Sequence, residues 1–217
     1  MAVELTYCVI NTEHRQLLRY CLDAIARERA TVDFETETLV LDNASADGSA
    51  ETARAHDVTT AVIALDRRRG RGENASELLQ RARGRYCLLL NEDSELEPGA
   101  TAALHAELDR AHDAGAAGAT LVSPDGEQQP SAWRFPSAWT ALASVVGLRR
   151  RFVVQSRGRR VRNVDWAPAA ALLVRRETAA EVGWLDGEEV GFCRRLRAAG
   201  KRVLYVPEAR AVHHQHL

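Results

Sequence analysis

The sequence of 217 residues lacks the features that mark several protein classes. No apolar run approaches the length of about 18 residues that predicts a membrane span. The N-terminus has no basic stretch followed by an apolar one, so no secretory signal is predicted. The four cysteines, Cys8, Cys21, Cys87 and Cys193, include no C-x-x-C pair. Each lies in an apolar segment, which predicts buried free thiols and a cytoplasmic protein.

The chain also lacks a net excess of either charge, because 29 Lys and Arg residues balance 30 Asp and Glu residues. The overall charge therefore indicates no polyanionic partner. Two local runs are basic, RRRGRG at 67–72 and SRGRRVR at 156–162. A basic run is usually a solvated face, and an anion site is the alternative. No aromatic residue accompanies the first run, which argues against nucleic-acid stacking there.

Strand and helix signals alternate through the first half of the chain. β-rich runs predict strands at 5–10, 38–41, 61–65 and 86–90. Apolar residues at helical spacing predict helices at 15–29, 50–55 and 73–83, and a proline opens another at 98–114. This alternation implies right-handed crossovers and a mainly parallel sheet, so the predicted fold class is α/β.

The second half is less regular. A hairpin or irregular crossing is predicted from residue 119 to residue 136, followed by a helix at 138–148 and a polar, basic loop at 156–163. Strand-rich sequence at 164–174 is interrupted by Pro168. Helices at 176–182 and 188–199 and strands at 203–206 and 211–212 complete the prediction. There is no internal repeat.

Polar residues follow all four early strands. The strands run into Asn11-Thr12-Glu13, Asp42-Asn43, Asp66-Arg67 and Asn91-Glu92-Asp93, in that order. One such ending is ordinary turn chemistry, but four endings indicate a lined site. In open parallel sheets, ligands bind beyond the carboxyl ends of the strands.

Two nucleotide-binding signatures are absent. No G-x-G-x-x-G follows the first strand and no G-x-x-x-x-G-K-[ST] occurs, which argues against a dinucleotide dehydrogenase and a P-loop enzyme. A nucleotide diphosphate held without a glycine-rich cradle needs its charge neutralised in another way. A divalent metal on carboxylates is the usual solution, because oxygen ligands suit hard cations.

Four segments together resemble the family 2 glycosyltransferases, in particular the rhamnosyltransferase-like branch. They are LVLDNASADGSAE, YCLLLNEDSELEPGA, VDWAPAAALLVRRE and KRVLYVPEARAVHH, in this order along nearly the whole chain. The resemblance implies the GT-A (nucleotide-diphospho-sugar transferase) fold, a single Rossmann-like, mostly parallel sheet flanked by helices. The implied domain covers residues 1–217, with a nucleotide-sugar-binding half at 1–97 and an acceptor-side half at 98–217.

The implied reaction is an inverting transfer of a sugar from a UDP- or dTDP-sugar to an acceptor hydroxyl, with Mg²⁺ or Mn²⁺ as cofactor. The partners are this donor and a carbohydrate, lipid-linked or small-molecule acceptor, as in cell-wall, polysaccharide or glycoside biosynthesis. Nucleic acid is not among them, while peripheral membrane association and a homodimer stay open. A catalytically degenerate relative that binds nucleotide sugars or acts as a scaffold is the alternative. A sugar nucleotidyltransferase ranks lower, because NTEHRQLL after strand one has no glycine.

The resemblance also implies roles for the residues at the strand ends. Donor binding falls on Asn11, Thr12, Glu13, Asp42, Asn43, Arg71, Asn91, Glu92 and Trp166. Asp42 is expected to accept a hydrogen bond from a pyrimidine base, and an Asx turn at Asp42 or Asn43 is compatible with that role. Arg69 and Arg71 either pair with the diphosphate or form a solvated loop. Trp166 matches an aromatic that faces the sugar, and a core position is the alternative.

The implied metal ligands are Asp93, the last acid of a D-x-D-like motif, and His213. The register from Pro207 favours His213 over His214, and a histidine-rich terminus without a ligand role is the alternative. Ser94, Glu95 and Glu97 are assigned to a turn and to the first turn of the next helix.

The catalytic base is assigned to the Glu188-Glu189 pair, with Glu189 expected to take the acceptor's proton. The segment GWLDGEEVGFCRRL lacks the aromatic insert of the family and has Gly191 where a later acid is usual. The competing explanation is local, because Asp186 followed three residues later by Glu189 also resembles a helix-capping arrangement.

Overall fold

The computed structural model describes residues 2–135, 137, 153–185 and 187–214. The strands are β1 (Leu5–Asn11), β2 (Thr36–Asp42), β3 (Ala61–Ala64), β4 (Tyr86–Asn91), β5 (Ser94–Leu96), β6 (Ala114–Val122), β7 (Arg162–Val164), β8 (Ala171–Arg175) and β9 (Arg202–His213). The helices are α1 (Arg15–Arg29), α2 (Ser49–Ala55), α3 (Arg71–Arg81), α4 (Ala100–Arg110), α5 (Arg176–Val182) and α6 (Glu189–Ala198). No helix among these residues has the length and apolar character needed to cross a membrane.

The strands of the described residues form one sheet in the order β3-β2-β1-β4-β8-β6-β9-β5, with β7 also paired to β9. Six strands, namely β1, β2, β3, β4, β6 and β9, point in one direction, and β5, β7 and β8 run opposite to them. The predicted α/β class with a mostly parallel sheet is therefore confirmed. The antiparallel β8 joins the two parallel groups of strands.

The first half follows the sequence prediction closely, with one correction after β4. Residues 94–96 form a strand rather than a turn, and α4 covers only Ala100–Arg110 instead of 98–114. Gly99 explains the late helix start, because its φ of 86° is left-handed backbone that glycine adopts most readily. Glu95 and Glu97 therefore lie outside the helix and pair with His214 and Arg210.

The second half shows two longer strands than predicted. β6 begins at Ala114, and the two late strands are one continuous strand, β9. β9 pairs with β6 through a register shift in which Ala119 faces Val206 and Thr120 faces Arg210. Such a bulge accommodates Pro207, which has no N–H for the ladder. The basic loop ends in the short strand β7, and the predicted helix at 138–148 lies outside the described residues.

Apolar side chains fill both faces of the sheet. Helices α1 and α4 cover one face with Leu18, Leu22 and Leu104, all fully buried. Helices α3, α5 and α6 cover the other face, where Leu78 and Phe192 are fully buried. The four cysteines are buried free thiols, as predicted.

A buried carboxylate fixes the start of α4. Glu28 of α1 is only 1% exposed, and its two oxygens accept the N–H groups of Gly99 at 2.8 Å and Thr101 at 2.6 Å. Gly99, at the N-cap position, has no side chain to do this. The negative charge also lies at the positive end of the helix dipole. Glu28 thus ties α1 to the chain that leaves β5.

We expect Glu28→Ala to lower the free energy of unfolding by about 2–4 kcal/mol, because two charge-assisted hydrogen bonds are lost and the amides stay buried. Chemical denaturation of both proteins measures this difference. Glu107→Ala is the matched control, since Glu107 pairs with Arg110 on the surface of the same helix. Such exposed pairs contribute about 0–1 kcal/mol, so equal losses in the two variants would contradict the capping role.

Candidate active site

The carboxyl ends of β1, β2 and β4 open onto a cleft of about 490 Å³. The cleft is lined by Ile10, Thr12, Glu13, His14, Asn43, Arg68, Arg71, Asn74, Asn91 and Glu92. Six of these residues, Thr12, Glu13, Asn43, Arg71, Asn91 and Glu92, are predicted donor-binding residues. The parallel pairing brings them together, because Asn11 faces Asp42 and Ile10 faces Asn91 in the ladders of β1.

Asn11 and Asp42 lie beneath the cleft and are buried. The Asn11 amide donates to Asp42 Oδ1 at 2.8 Å, and the Ser45 N–H donates to Asp42 Oδ2 at 3.1 Å. Asp42 therefore forms the turn that was the local alternative for this residue. Its contact with a nucleotide base stays a prediction.

Two residues of the loops after β1 and β2 have left-handed backbone, Glu13 with φ of 61° and Ala44 with φ of 56°. Side chains rarely adopt this conformation, and strained backbone of this kind concentrates at functional sites. The Glu13 carboxylate accepts the Ala46 N–H at 3.1 Å and an Arg68 guanidinium N–H at 2.8 Å. These contacts join the loops on the two sides of the cleft.

The arginine-rich loop before α3 is oriented by Asn43. Its Oδ1 accepts the Arg69 N–H at 2.8 Å, and its Nδ2 donates to the Arg69 carbonyl at 3.2 Å. The Arg69 side chain pairs with Glu77 at 2.7 Å, while Arg71 lines the cleft and makes no ion pair with a described residue. Of the two arginines considered for the diphosphate, the geometry therefore favours Arg71.

Two further residues of the cleft, Asn74 and His14, are not among the predicted site residues. Asn74 is fully buried, lines the cleft and has no hydrogen-bond partner for Nδ2 or Oδ1 among the described residues. An unpaired buried amide is costly, so a ligand that pairs with it gains affinity. His14 Nδ1 lies 2.9 Å from Glu92 Oε1, which also accepts the Thr12 N–H at 3.3 Å. The signal for Asn74 is its position four residues into α3, at the cleft-facing helix start.

The predicted metal ligands Asp93 and His213 lie together. The antiparallel ladder of β5 and β9 sets Ser94 opposite His213, and the His214 N–H donates to the Asp93 carbonyl at 2.9 Å. As a result, Asp93 Oδ1 lies 3.5 Å from His213 Nε2, and both side chains are largely buried. His214 points elsewhere, to Glu95 at 2.6 Å.

Gln129 fixes the orientation of the His213 ring. Its Nε2 donates to the His213 carbonyl at 3.1 Å, so its Oε1 faces His213 Nδ1, at 3.2 Å. The His213 carbonyl can only accept a hydrogen bond, so the Gln129 atom beside it is the amide nitrogen. The amide oxygen of Gln129 can also only accept, so His213 Nδ1, which faces it, carries a proton. In the neutral ring Nε2 then presents a lone pair to Asp93. Burial lowers the pKa of His213 below its usual value, although the charge of Asp93 opposes this effect. A lowered pKa favours the neutral ring, which is the form that binds a metal.

This pair fits a divalent metal by its chemistry. Asp93 Oδ1 is buried without a hydrogen-bond partner and faces the unprotonated nitrogen of His213, so two lone pairs point at one another. Carboxylate oxygen and imidazole nitrogen are both common ligands of divalent metals. No group of three or more His, Cys, Asp or Glu side chains suited to a metal occurs in the described parts of the chain.

The predicted base lies near the start of α3 rather than on the cleft surface. Glu188 is exposed at the N-cap of α6, which begins at Glu189, and Glu189 Oε1 accepts the Ala169 N–H at 3.2 Å. Gly187 packs against Gly72 so closely that a Cβ on Gly72 would lie 2.0 Å from the Gly187 carbonyl oxygen. The segment before Glu188 thus touches α3, whose first residue is Arg71. Asp186 lies outside the described residues.

Trp166 stacks on Trp133, with ring centroids 4.5 Å apart and an interplanar angle of 20°. Its indole N–H donates to the Arg134 carbonyl at 3.2 Å, and its ring packs at the edge of the core under α6. Trp166 is therefore a partly buried residue that stacks on a neighbouring tryptophan. A contact with the sugar stays a prediction.

Comparison with known proteins shows that this chain is similar to glycosyltransferases. The chain is 33% identical over 144 residues to N-acetylglucosaminyl-diphospho-decaprenol L-rhamnosyltransferase of Mycobacterium tuberculosis. The aligned region covers 60% of this chain and 47% of the relative. The match thus spans about half of the relative's length.

Two solved structures are similar in fold. GalNAc-T7 with UDP, GalNAc and Mn²⁺ matches 100% of this chain and 44% of its own, at a TM-score of 0.75 and 14% identity. Staphylococcus aureus TarS with UDP-GlcNAc matches 99% and 60%, at a TM-score of 0.69 and 13% identity. These likenesses show the GT-A fold. The sequence model of "Glycosyl transferase family 2" matches residues 8–165, and the chain therefore belongs to glycosyl transferase family 2.

Proposed function

We propose that this chain catalyses the inverting, metal-dependent transfer of a sugar from a nucleotide-diphosphate donor, a UDP- or dTDP-sugar, to an acceptor hydroxyl. The single observation that carries the proposal is the pair of Asp93 and His213. Their facing atoms are 3.5 Å apart, and neither makes a good hydrogen bond to the other. Asp93 directly follows Glu92, which lines the cleft at the end of β4.

The cleft supplies positive charge and hydrogen-bond donors for a diphosphate. Arg71 at the start of α3 and Arg68 both line it, and the amide of Asn74 is free to bind a ligand. The N-terminus of a helix also favours an anion. Mg²⁺ or Mn²⁺ held by Asp93 and His213 would neutralise the diphosphate as it leaves. The Mn²⁺ in GalNAc-T7 supports a divalent cofactor.

Glu189 is the proposed general base, with Glu188 beside it. An inverting transfer needs one carboxylate that removes the proton of the acceptor hydroxyl. The contact between Gly187 and Gly72 supports this assignment, because it joins the segment before Glu188 to the helix that starts at the cleft. A degenerate protein that binds the donor without turnover is the second candidate. Its support is the hydrogen bond from Ala169 to Glu189, which occupies one carboxylate oxygen.

The acceptor class is proposed from the curated relative. The name of that relative, N-acetylglucosaminyl-diphospho-decaprenol L-rhamnosyltransferase, states a lipid-linked acceptor. A lipid-linked saccharide is accordingly our first choice, ahead of a free carbohydrate or small molecule. Cell-wall biosynthesis and a cytoplasmic location at the inner face of the membrane follow from that choice. A homodimer and the absence of a nucleic-acid partner stay predictions.

We expect Mn²⁺ to strengthen binding of UDP or dTDP to the wild-type protein and Asp93→Asn to abolish that gain. Loss of a metal ligand should weaken Mn²⁺-dependent binding by at least about tenfold, as loss of a supporting residue already does. Calorimetric titration with UDP, dTDP and GDP, with Mn²⁺ or with EDTA, measures this. Glu95→Gln is the matched control, because Glu95 is two residues away and pairs with His214. Equal Mn²⁺ dependence in Asp93→Asn and wild type would refute the metal assignment.

Gln129→Leu should release the His213 ring from its single tautomer. In metal-free wild-type protein at about pH 8, where imidazole is neutral, long-range ¹H–¹⁵N NMR should show the proton on Nδ1. We expect a mixture of tautomers in the variant and an affinity for Mn²⁺ with UDP about tenfold lower.

Gln128→Leu is the control for this experiment, because Gln128 donates to the Ser156 carbonyl and to Tyr205 Oη and does not contact His213. If Gln129→Leu keeps the wild-type NMR pattern, Gln129 does not set the tautomer.

Glu189→Gln should reduce donor turnover by about 10²–10⁴-fold, the usual contribution of a general base, while donor binding stays unchanged. Glu188→Gln is the neighbouring control, and we expect it to retain most activity. Release of nucleoside diphosphate with a panel of lipid-linked and free saccharides measures turnover. A loss confined to Glu188→Gln would exchange the two roles. Donor binding by wild type without turnover on any acceptor would favour the degenerate protein.

A further inference from the structure

The sequence between Glu127 and Asp165 has an unusual charge pattern. It contains eight arginines and no Asp, Glu or Lys, although acids and bases balance over the whole chain. Four of the arginines lie in the described segment 157–162, which we call the basic loop. They are Arg157, Arg159, Arg160 and Arg162. The local net charge of this loop is therefore +4, with no acid within it.

The basic loop brings four exposed arginines together within six residues. All four are exposed, and none forms an ion pair with another described residue. By contrast, Arg69, Arg81 and Arg83 each pair with a glutamate within 2.8 Å. Unpaired arginines held on one loop produce a concentrated positive field, which attracts an anionic surface.

An apolar side chain lies in the middle of this charge. Val161 is 38% exposed, and only Tyr20 joins it as an exposed large hydrophobic residue among those described. A bilayer offers both partners, because lipid phosphates pair with arginine and the interface accepts an apolar side chain.

We infer that the basic loop, residues 157–162, docks this protein on an anionic phospholipid bilayer. Each Lys or Arg close to an anionic leaflet adds to the attraction, so four arginines suffice for reversible binding. Val161 adds a shallow apolar contact. Nucleic acid fits the loop less well, since the loop has no aromatic side chain on which a base stacks.

The basic loop is also joined to the wall of the proposed active site. The Ser156 hydroxyl accepts the Ser131 N–H at 2.9 Å, and the Ser156 carbonyl accepts an N–H of Gln128 at 2.9 Å. Gln128 precedes Gln129, which holds His213. If the proposed function is right, docking brings the lipid surface close to that site, where a lipid-linked acceptor is needed. The docking itself does not require that function.

Co-sedimentation with vesicles tests the inference on the full chain without nucleotide or metal. The vesicles consist of phosphatidylcholine alone or of phosphatidylcholine mixed with phosphatidylglycerol. We expect binding only to the anionic vesicles, and we expect added salt to weaken it because exposed charges are screened. The quadruple variant R157Q/R159Q/R160Q/R162Q should lose at least about 100-fold of this affinity.

The matched control removes the same charge from helices on the other face of the sheet. It is R19Q/R27Q/R54Q/R110Q, with residues on α1, α2 and α4. We expect this control to bind anionic vesicles at least about tenfold more tightly than the basic-loop variant does, because its arginines lie away from the docking surface. Val161→Asp keeps all four arginines. At high salt we expect this variant to bind the anionic vesicles more weakly than the wild-type protein does. Thermal unfolding checks that the variants are folded.

Three results would overturn the inference. If the wild-type protein does not bind anionic vesicles, it does not dock on such a bilayer. If the two quadruple variants bind the vesicles equally, the basic loop is not the docking site. Tight binding to an oligonucleotide without binding to vesicles assigns the loop to nucleic acid instead. Because none of these assays measures sugar transfer, failure of the docking inference is distinct from failure of the proposed function.

Discussion

The short antiparallel ladder between β5 and β9 is the constraint on which the proposed site depends. Only Glu92 and Asp93 separate β4 from β5, yet three strands lie between β4 and β5 in the order of the sheet. The sheet therefore curls back on itself at these two acids. Three residue pairs hold this closure, and one of them sets His213 opposite Ser94. This pairing brings the carboxylate of Asp93, from the middle of the chain, next to the imidazole of His213, from its end.

Buried carboxylates and amides hold the closure in place from several sides. Glu28 secures the chain after β5 to α1, and Gln129 holds both the ring and the backbone of His213. These supports satisfy their own hydrogen bonds. Two residues that have buried polar atoms without a hydrogen-bond partner among the described residues, Asp93 and Asn74, lie at or beside the cleft. Pairing of these atoms with a ligand would remove the cost of burying them unpaired.

The sequence predicts the parts of this structure that depend on local pattern. Apolar periodicity predicted the early strands and helices, and the polar strand ends predicted half of the cleft residues. The strand at 94–96 was not predicted, because its three residues SEL carry no strand signal of their own and gain it from pairing with β9. The grip of Gln129 on His213 was missed for a similar reason. A contact across 84 positions has no local signature.

The residues that sequence reasoning placed least securely are those with two compatible roles. Asp42 forms a turn, Trp166 packs on another tryptophan, and Glu189 accepts a backbone hydrogen bond. Each of these contacts is structural. Packing chemistry and binding chemistry use the same residue types at strand ends, so composition alone does not separate them.

The meeting of Gly72 and Gly187 has a consequence for how this protein is able to vary. The space between the two backbones leaves no room for a Cβ on Gly72, whose nearest neighbour would be 2.0 Å away. Any side chain at this position forces the loop before α6 to retreat from α3. The two positions are therefore expected to change only in concert. A variant with a longer loop before α6 must extend outward from this contact rather than through it.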